Sequence, residues 1–230
     1  MGRHAQSPAD ETELPLVGGA LCLDFVNTVD PRHGRARMEY LIDYTSLVSW
    51  AAYAGAINAV EAGALEAEAR RRPQEAARVH RDAIALREHA YEILHAVVHG
   101  HPLPSPSVRF FNDHHARAST RRQVVVRDGA LEWVWTEDRN LERILWPVLG
   151  SMADLLTGPV DRIRECPGDG TCSWLFLDTT KNGSRKWCEM KTCGNRAKAR
   201  RHYLRSAPHR PGRHRTSDVA STVGRNVLSH

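Results

Sequence analysis

The chain has 230 residues, 41% hydrophobic and 26% charged, enough for one sizeable core or one core plus a small satellite, and too apolar for a disordered tail. No run of eighteen apolar residues occurs and the opening MGRHAQSPADETE is polar and mixed in charge, so neither a membrane span nor a signal peptide is read and the expected location is the cytoplasm. The formal charge of +5 averages two unlike regions: residues 1–161 hold 17 Arg, no Lys and 22 acidic residues, a net of −5, whereas 162–215 hold 14 Lys plus Arg against 4 acidic residues, a net of +10.

The first apolar segment, Leu14 to Thr28, reads LPLVGGALCLDFVNT. Leu21, Leu23 and Phe25 alternate as in a strand, while Cys22, Phe25 and Val26 suit a helical face, so its type stays open. Leu41 to Ala54 reads as a helix that Gly55 stops. A charged Ala/Glu/Arg segment follows from Val60 to Arg72. Pro73 then opens the clearest helix, with Ala76, Val79, Ala83, Leu86, Ala90, Ile93, Leu94 and Val97 at spacings of three and four until His99-Gly100. HPLPSPS is a Pro-rich break, and Phe110 to Ala118 is expected as a short helix.

QVVVRDGALEWVW carries a two-residue Asp128-Gly129 turn that pairs Val126 with Leu131 and Val124 with Trp133, with Trp135 on the same side. This face requires a cover, expected from the next helix. That helix is expected to be capped by Thr136, to carry Leu141, Ile144, Leu145, Val148, Leu149, Met152, Leu155 and Leu156 on one stripe, to kink at Pro147 and to end at Gly158-Pro159. Trp133, Trp135 and Trp146 read as core. No strand–helix alternation or repeat is present, so the body reads as α+β, a mainly helical N-terminal domain with a small antiparallel hairpin or sheet. The domains are expected at 14–158 and 162–205, with 1–13 and 206–230 disordered.

The chemistry concentrates in RIRECPGDGTCSWLFLDTTKNGSRKWCEMKTCGNRAKARRHYLR. Cys166-x5-Cys172 and Cys188-x4-Cys193 are two pairs fifteen residues apart, close to the spacing of structural zinc sites. Without an export signal they read as Zn²⁺ ligands before disulfides, and cluster-type iron–sulfur spacings are absent. Trp174 to Asp178 and Ser184 to Trp187 are expected to pair around Lys181-Asn182-Gly183, bringing the cysteine pairs together, with a helix after Cys193, so the C-terminal part reads as a treble-clef-like four-cysteine zinc finger. So small a unit needs the metal, whose binding supplies about 10–16 kcal/mol. Cys22, in an apolar run, reads as a buried small residue.

That last helix is basic. Arg196 and Arg200 are four apart, Lys198, Arg201 and Arg205 share helical spacings, and Arg185, Lys186 and Lys191 lead into it, a face suited to phosphates or guanine edges. His202 is expected to face solvent or phosphate.

The run Cys193-Gly194-Asn195-Arg196, with Trp174-Leu175-Phe176-Leu177-Asp178-Thr179 and Arg185-Lys186-Trp187-Cys188 before it, resembles the CGNR zinc-finger family. Leu21 to Thr28 and Leu47-Val48-Ser49-Trp50 resemble the ABATE domain that precedes this finger, described as a stress-induced transcription regulator. The resemblance implies zinc on the four cysteines and a finger that binds DNA, or RNA in some descriptions. The first knuckle, Cys166 to Cys172, is one residue longer than the common form. Gly194 and Asn195 are expected to shape the knuckle around the thiolates and Arg196 to contact nucleic acid. Asp24 and Asn27 are candidates to line a ligand pocket, with capping or buried hydrogen bonding the commoner use of such residues.

The leading expectation is a non-enzymatic, zinc-dependent DNA-binding transcription regulator whose N-terminal domain senses a signal or mediates assembly. RNA binding through the same surface is the alternative. A small enzyme using Asp24, Asn27 and His114, with the finger as a targeting module, is a second one. No Ser/His/Asp order, phosphate-cradling Gly loop or paired catalytic carboxylates supports it. Asn112-Asp113-His114-His115 lacks further carboxylates at metal spacing.

Overall fold

The computed structural model describes residues 14–32, 37–136, 138–168, 170 and 172–206. The disorder expected for 1–13 and beyond Ser206 falls outside them. The open N-terminal segment is helical: α1 spans Leu21–Val26 and buries Cys22, Leu23, Phe25 and Val26. Two short strands follow, β1 (Val29–Asp30) and β2 (Met38–Glu39), paired antiparallel. α2 (Tyr44–Tyr53) starts where the Asp43 side chain accepts the Ser46 N–H in a capping box, and Gly55 adopts φ 71° just past its end. The charged segment is also a helix, α3 (Ala59–Arg71), opened by a second capping box between Asn58 and Glu61.

α4 (Pro73–His99) buries the stripe that its periodicity marks, from Ala76 to Leu94, and ends on left-handed Gly100. α5 (Ser105–Ser119) begins earlier than Phe110. Pro106 lies in its first turn, where the missing N–H costs no hydrogen bond, so the Pro-rich break shortens to the residues before Ser105. α1 and α5 pack on α4 and on α6 (Trp146–Leu156), while α2 and α3 cover another side of α4.

The hairpin β3 (Arg122–Arg127) and β4 (Ala130–Trp135) has the expected register, with Val126 opposite Leu131 and Val124 opposite Trp133. Its cover does not. Val126, Leu131 and Trp133 are 73%, 74% and 61% exposed, and only Trp135 at the base packs, against Trp146 and Gly150. Trp133 is therefore not core. The reason lies at the start of the next helix: Leu141–Leu145 is a 3₁₀ turn capped by the Asn140 side chain on the Glu142 N–H. Thr136 instead extends the hairpin through its N–H to Arg121. Pro147 stands in the first turn of α6 and opens it, where a kink was expected.

β5 (Ile163–Glu165) and β6 (Leu175–Leu177) form the third antiparallel pair. This corrects the expected partner of Trp174–Asp178. Ser184–Trp187 is not a strand, because the loop is organised on the buried Asp178 carboxylate, which accepts the Thr180 hydroxyl at 2.6 Å, the Thr180 N–H at 2.9 Å and the Arg185 N–H at 3.0 Å. One hydrophobic cluster runs from α1, α4 and α6 into Leu175, Phe176 and the C-terminal cysteines. Among the described residues no helix is long and apolar enough to cross a membrane.

Candidate metal centre and basic helix

The hairpin β5–β6 carries Cys166 immediately after its first strand and Cys172 shortly before its second. The Cys166 N–H donates to the Trp174 carbonyl at 2.8 Å, closing the knuckle. Cys188 precedes, and Cys193 lies within, a π-turn at Met190–Gly194. The four sulfurs converge: Sγ of Cys172 and Cys188 are 3.7 Å apart, those of Cys188 and Cys193 are 3.6 Å apart, and all four lie within 4.8 Å of one another. A tetrahedron with Zn–S of about 2.3 Å needs sulfurs about 3.8 Å apart. No disulfide joins them and all four are buried, so the donor set and spacing fit a closed zinc site. Hydrogen bonds from the other three thiols drive Cys166 strongly toward the thiolate, and that bond in turn raises Cys172 and Cys188. A divalent cation replaces these shared protons.

The longer first knuckle closes on glycine. Gly168 has φ 44°, and a Cβ there would lie 2.6 Å from the Cys172 Cβ. Gly168→Ala is therefore expected to destabilise the finger by about 1–3 kcal/mol, seen as zinc release at lower chelator concentration than wild type. Unchanged chelator sensitivity would show that the knuckle tolerates the side chain.

The body holds the finger through its backbone. β5 covers one edge of β6. On the other edge, the Asn27 amide donates to the Leu175 carbonyl at 2.8 Å and accepts the Leu175 N–H at 3.0 Å, while the Leu177 N–H donates to Gly18 at 2.7 Å. An exposed strand edge is thereby closed by a side chain and a loop carbonyl. The Trp174 indole N–H donates to Val29, and the Arg32 N–H to Cys172. Asp24 accepts the Gly18 N–H at 2.7 Å; burial raises its carboxyl, and that hydrogen bond opposes the rise. Asp24 and Asn27 thus make internal hydrogen bonds that shape the seat of β6, the alternative to lining a pocket. Nothing in the local sequence marks their partner, which lies 148 residues away for Asn27.

Arg185 behaves differently from its basic neighbours. Its guanidinium donates to the carbonyls of Leu177, Val17, Trp187 and Cys188 and lies 4.4 Å over the Phe176 ring. Its donors are spent inside the junction of body and finger. Lys186 and Lys191 are exposed. In the Cys193–Arg196 tetrapeptide, a Cβ on Gly194 would overlap the Met190 thioether and press on the Trp187 ring at 3.3 Å. The Asn195 amide donates to the Lys191 carbonyl at 3.1 Å, fastening the π-turn.

α7 (Asn195–Ser206) follows directly and buries no residue. Arg196, Lys198, Arg200, Arg201, His202 and Arg205 are all exposed, as are Tyr203 and Leu204. Cys22 is buried in α1 and desolvation pushes its thiol up to about 11, as expected of a packed, unreactive residue. The His114 imidazole is held on the Phe110 carbonyl and stacked on the Phe110 ring.

A search of the curated proteins finds no match to the chain. Two family models do match. The C-terminal one, "CGNR zinc finger", covers residues 162–206 and contains the whole four-sulfur cluster, so the cofactor is Zn²⁺. The N-terminal one covers residues 19–159, the greater part of the chain. The chain therefore belongs to the ABATE family, described as "Putative stress-induced transcription regulator", and carries a CGNR zinc finger behind that domain.

Proposed function

We propose that this regulator binds DNA through its finger, residues 162–205, with Zn²⁺ on Cys166, Cys172, Cys188 and Cys193, while residues 14–158 sense a signal or mediate assembly. Zinc supplies a structural cross-link: four thiolates leave no open position for substrate, and no catalytic residue is assigned. The observation that carries the reading is α7. It is twelve residues long, has five basic and no acidic side chains, and buries none of them. A helix of that length is marginal alone in water, and its charge suits a polyphosphate surface that would cover it.

The contacts are assigned to Lys186, Lys191, Arg196, Lys198, Arg200, Arg201 and Arg205. Arg185 drops out of the expected set because its donors face carbonyls. The net −5 of residues 1–161 turns the body away from the phosphates.

Arg196→Ala with Arg200→Ala is expected to weaken duplex DNA binding and to lower the slope of log affinity against log salt by about 1 per lost phosphate contact. Fluorescence anisotropy over a salt series reads both. Unchanged affinity and slope would remove α7 from the interface, and preference for RNA in direct competition would reassign the polymer.

A further inference from the structure

We propose that His95 and His99 on α4, with Glu165 at the end of β5, form a second site for a divalent transition-metal ion, separate from the four-cysteine cluster. His95 and His99 are four residues apart, so they project from one face of the helix with ring centroids 4.4 Å apart. Glu165 comes to them from the finger. Its Oε2 lies 2.5 Å from His99 Nε2 and 3.6 Å from His95 Nε2, and one ligand atom from each of the three falls within 4.8 Å of the others. Tetrahedral ligands at about 2.0–2.1 Å from an ion sit about 3.3 Å apart, a spacing that small side-chain rotations reach from these positions.

The chemistry selects the ion. Two imidazoles and one carboxylate suit Zn²⁺, Co²⁺, Ni²⁺ or Cu²⁺, whereas Mg²⁺ and Ca²⁺ take all-oxygen sets. The site is reachable, since the His95 and His99 side chains are 34% and 41% exposed. The His101 ring stands 5.7 Å from that of His99 at the rim, a further donor for a position that the three leave open. The placement gives the site a consequence. α4 is the central helix of the body, and Glu165 directly precedes Cys166, so an ion here fastens the body to the strand that leads into the zinc knuckle. The ion binds here whether or not α7 binds DNA.

The test uses the full chain without a histidine tag, carrying one zinc per chain by elemental analysis, titrated calorimetrically with Zn²⁺. A second equivalent is expected to bind. His95→Ala and His99→Ala are each expected to weaken that second binding by more than about 10-fold, the least that loss of even an outer-shell partner causes, with the first zinc retained. Co²⁺ added in place of the second equivalent is expected to give d–d bands without thiolate-to-cobalt charge transfer. No second equivalent, an affinity unchanged in both variants, or a thiolate charge-transfer band would overturn the assignment.

Discussion

Replacing Cys188 with serine is expected to leave the purified protein without zinc and to unfold its C-terminal region. Cys188 lies at the centre of the cluster, 3.7 Å from Cys172 and 3.6 Å from Cys193 by sulfur, and serine offers a hard, weakly acidic oxygen in place of a thiolate. The binding energy forfeited is about 10–16 kcal/mol, as large as the whole stability of many domains. The loss should spread. Leu175 and Phe176 belong to the same buried cluster as Phe25 and Leu23, so melting β6 strips the partners from Asn27 and Gly18. Elemental analysis together with hydrogen exchange reads both effects: zinc falls from one per chain to none, and protection is lost across 162–206 and in α1. A variant that keeps one zinc per chain would remove Cys188 from the ligand set.

Arg87→Ala is expected to cost about 2–4 kcal/mol, below the about 3–5 kcal/mol of a fully buried pair because both carboxylate partners are more than a third exposed. Arg87 is among the largest fully buried side chains, at 2% exposed. Its two terminal nitrogens reach both oxygens of Glu39 at 2.6 and 2.7 Å, its Nε reaches Glu88 at 2.9 Å, and Nη1 reaches the Thr28 hydroxyl at 3.2 Å. Arg32 completes the network: it binds Glu88 at 2.8 Å and lies 4.1 Å over the Tyr91 ring. Alanine leaves a cavity and takes the guanidinium from Glu39 and Glu88, of which Glu88 keeps Arg32 and both reach solvent. For a domain of this size the melting temperature should fall by about 4–16 °C.

The effect depends on pH in a defined direction. Burial alone would raise the Glu88 carboxyl, but Arg32 and Arg87 outweigh it and hold it below its ordinary 4.5. A depressed folded pKa contributes stability above the unfolded value and loses it as pH falls through the folded one. The gap between wild type and Arg87→Ala, read by thermal denaturation, should therefore be full near neutrality and narrow below about pH 4.5. A gap that widens in acid would show that the network does not act through ionised Glu88.

In the sequence Arg87 reads as one more surface charge, and Arg185 as one of the basic residues that meet nucleic acid. Burial of a guanidinium follows from carboxylates and carbonyls that lie far away in the chain, such as Glu39 for Arg87 and Val17 for Arg185. His95 and His99 do carry a local signal, two imidazoles at helical spacing. Their carboxylate partner is 66 residues from His99, beyond any spacing rule.

Local chemistry did decide much of this protein. The apolar spacing of α4, its opening proline and its closing glycine follow from helix geometry alone, and the Asp128-Gly129 turn determines the register of β3 and β4 because its backbone twist admits one pairing. The paired cysteines in a basic segment identified the metal and the region, since thiolate spacing is a short-range property of the chain. Tertiary structure alone decided which strand pairs with β6. The sequence offered Ser184–Trp187 across an Asn-Gly turn, yet β5 has that edge and Asn27 and Gly18 have the other, because Asp178 draws the following loop onto its own carboxylate. It also left the hairpin face bare where its alternation called for a cover. Alternation tells which side chains share a face, whereas whether anything lies against that face depends on where the next helix starts.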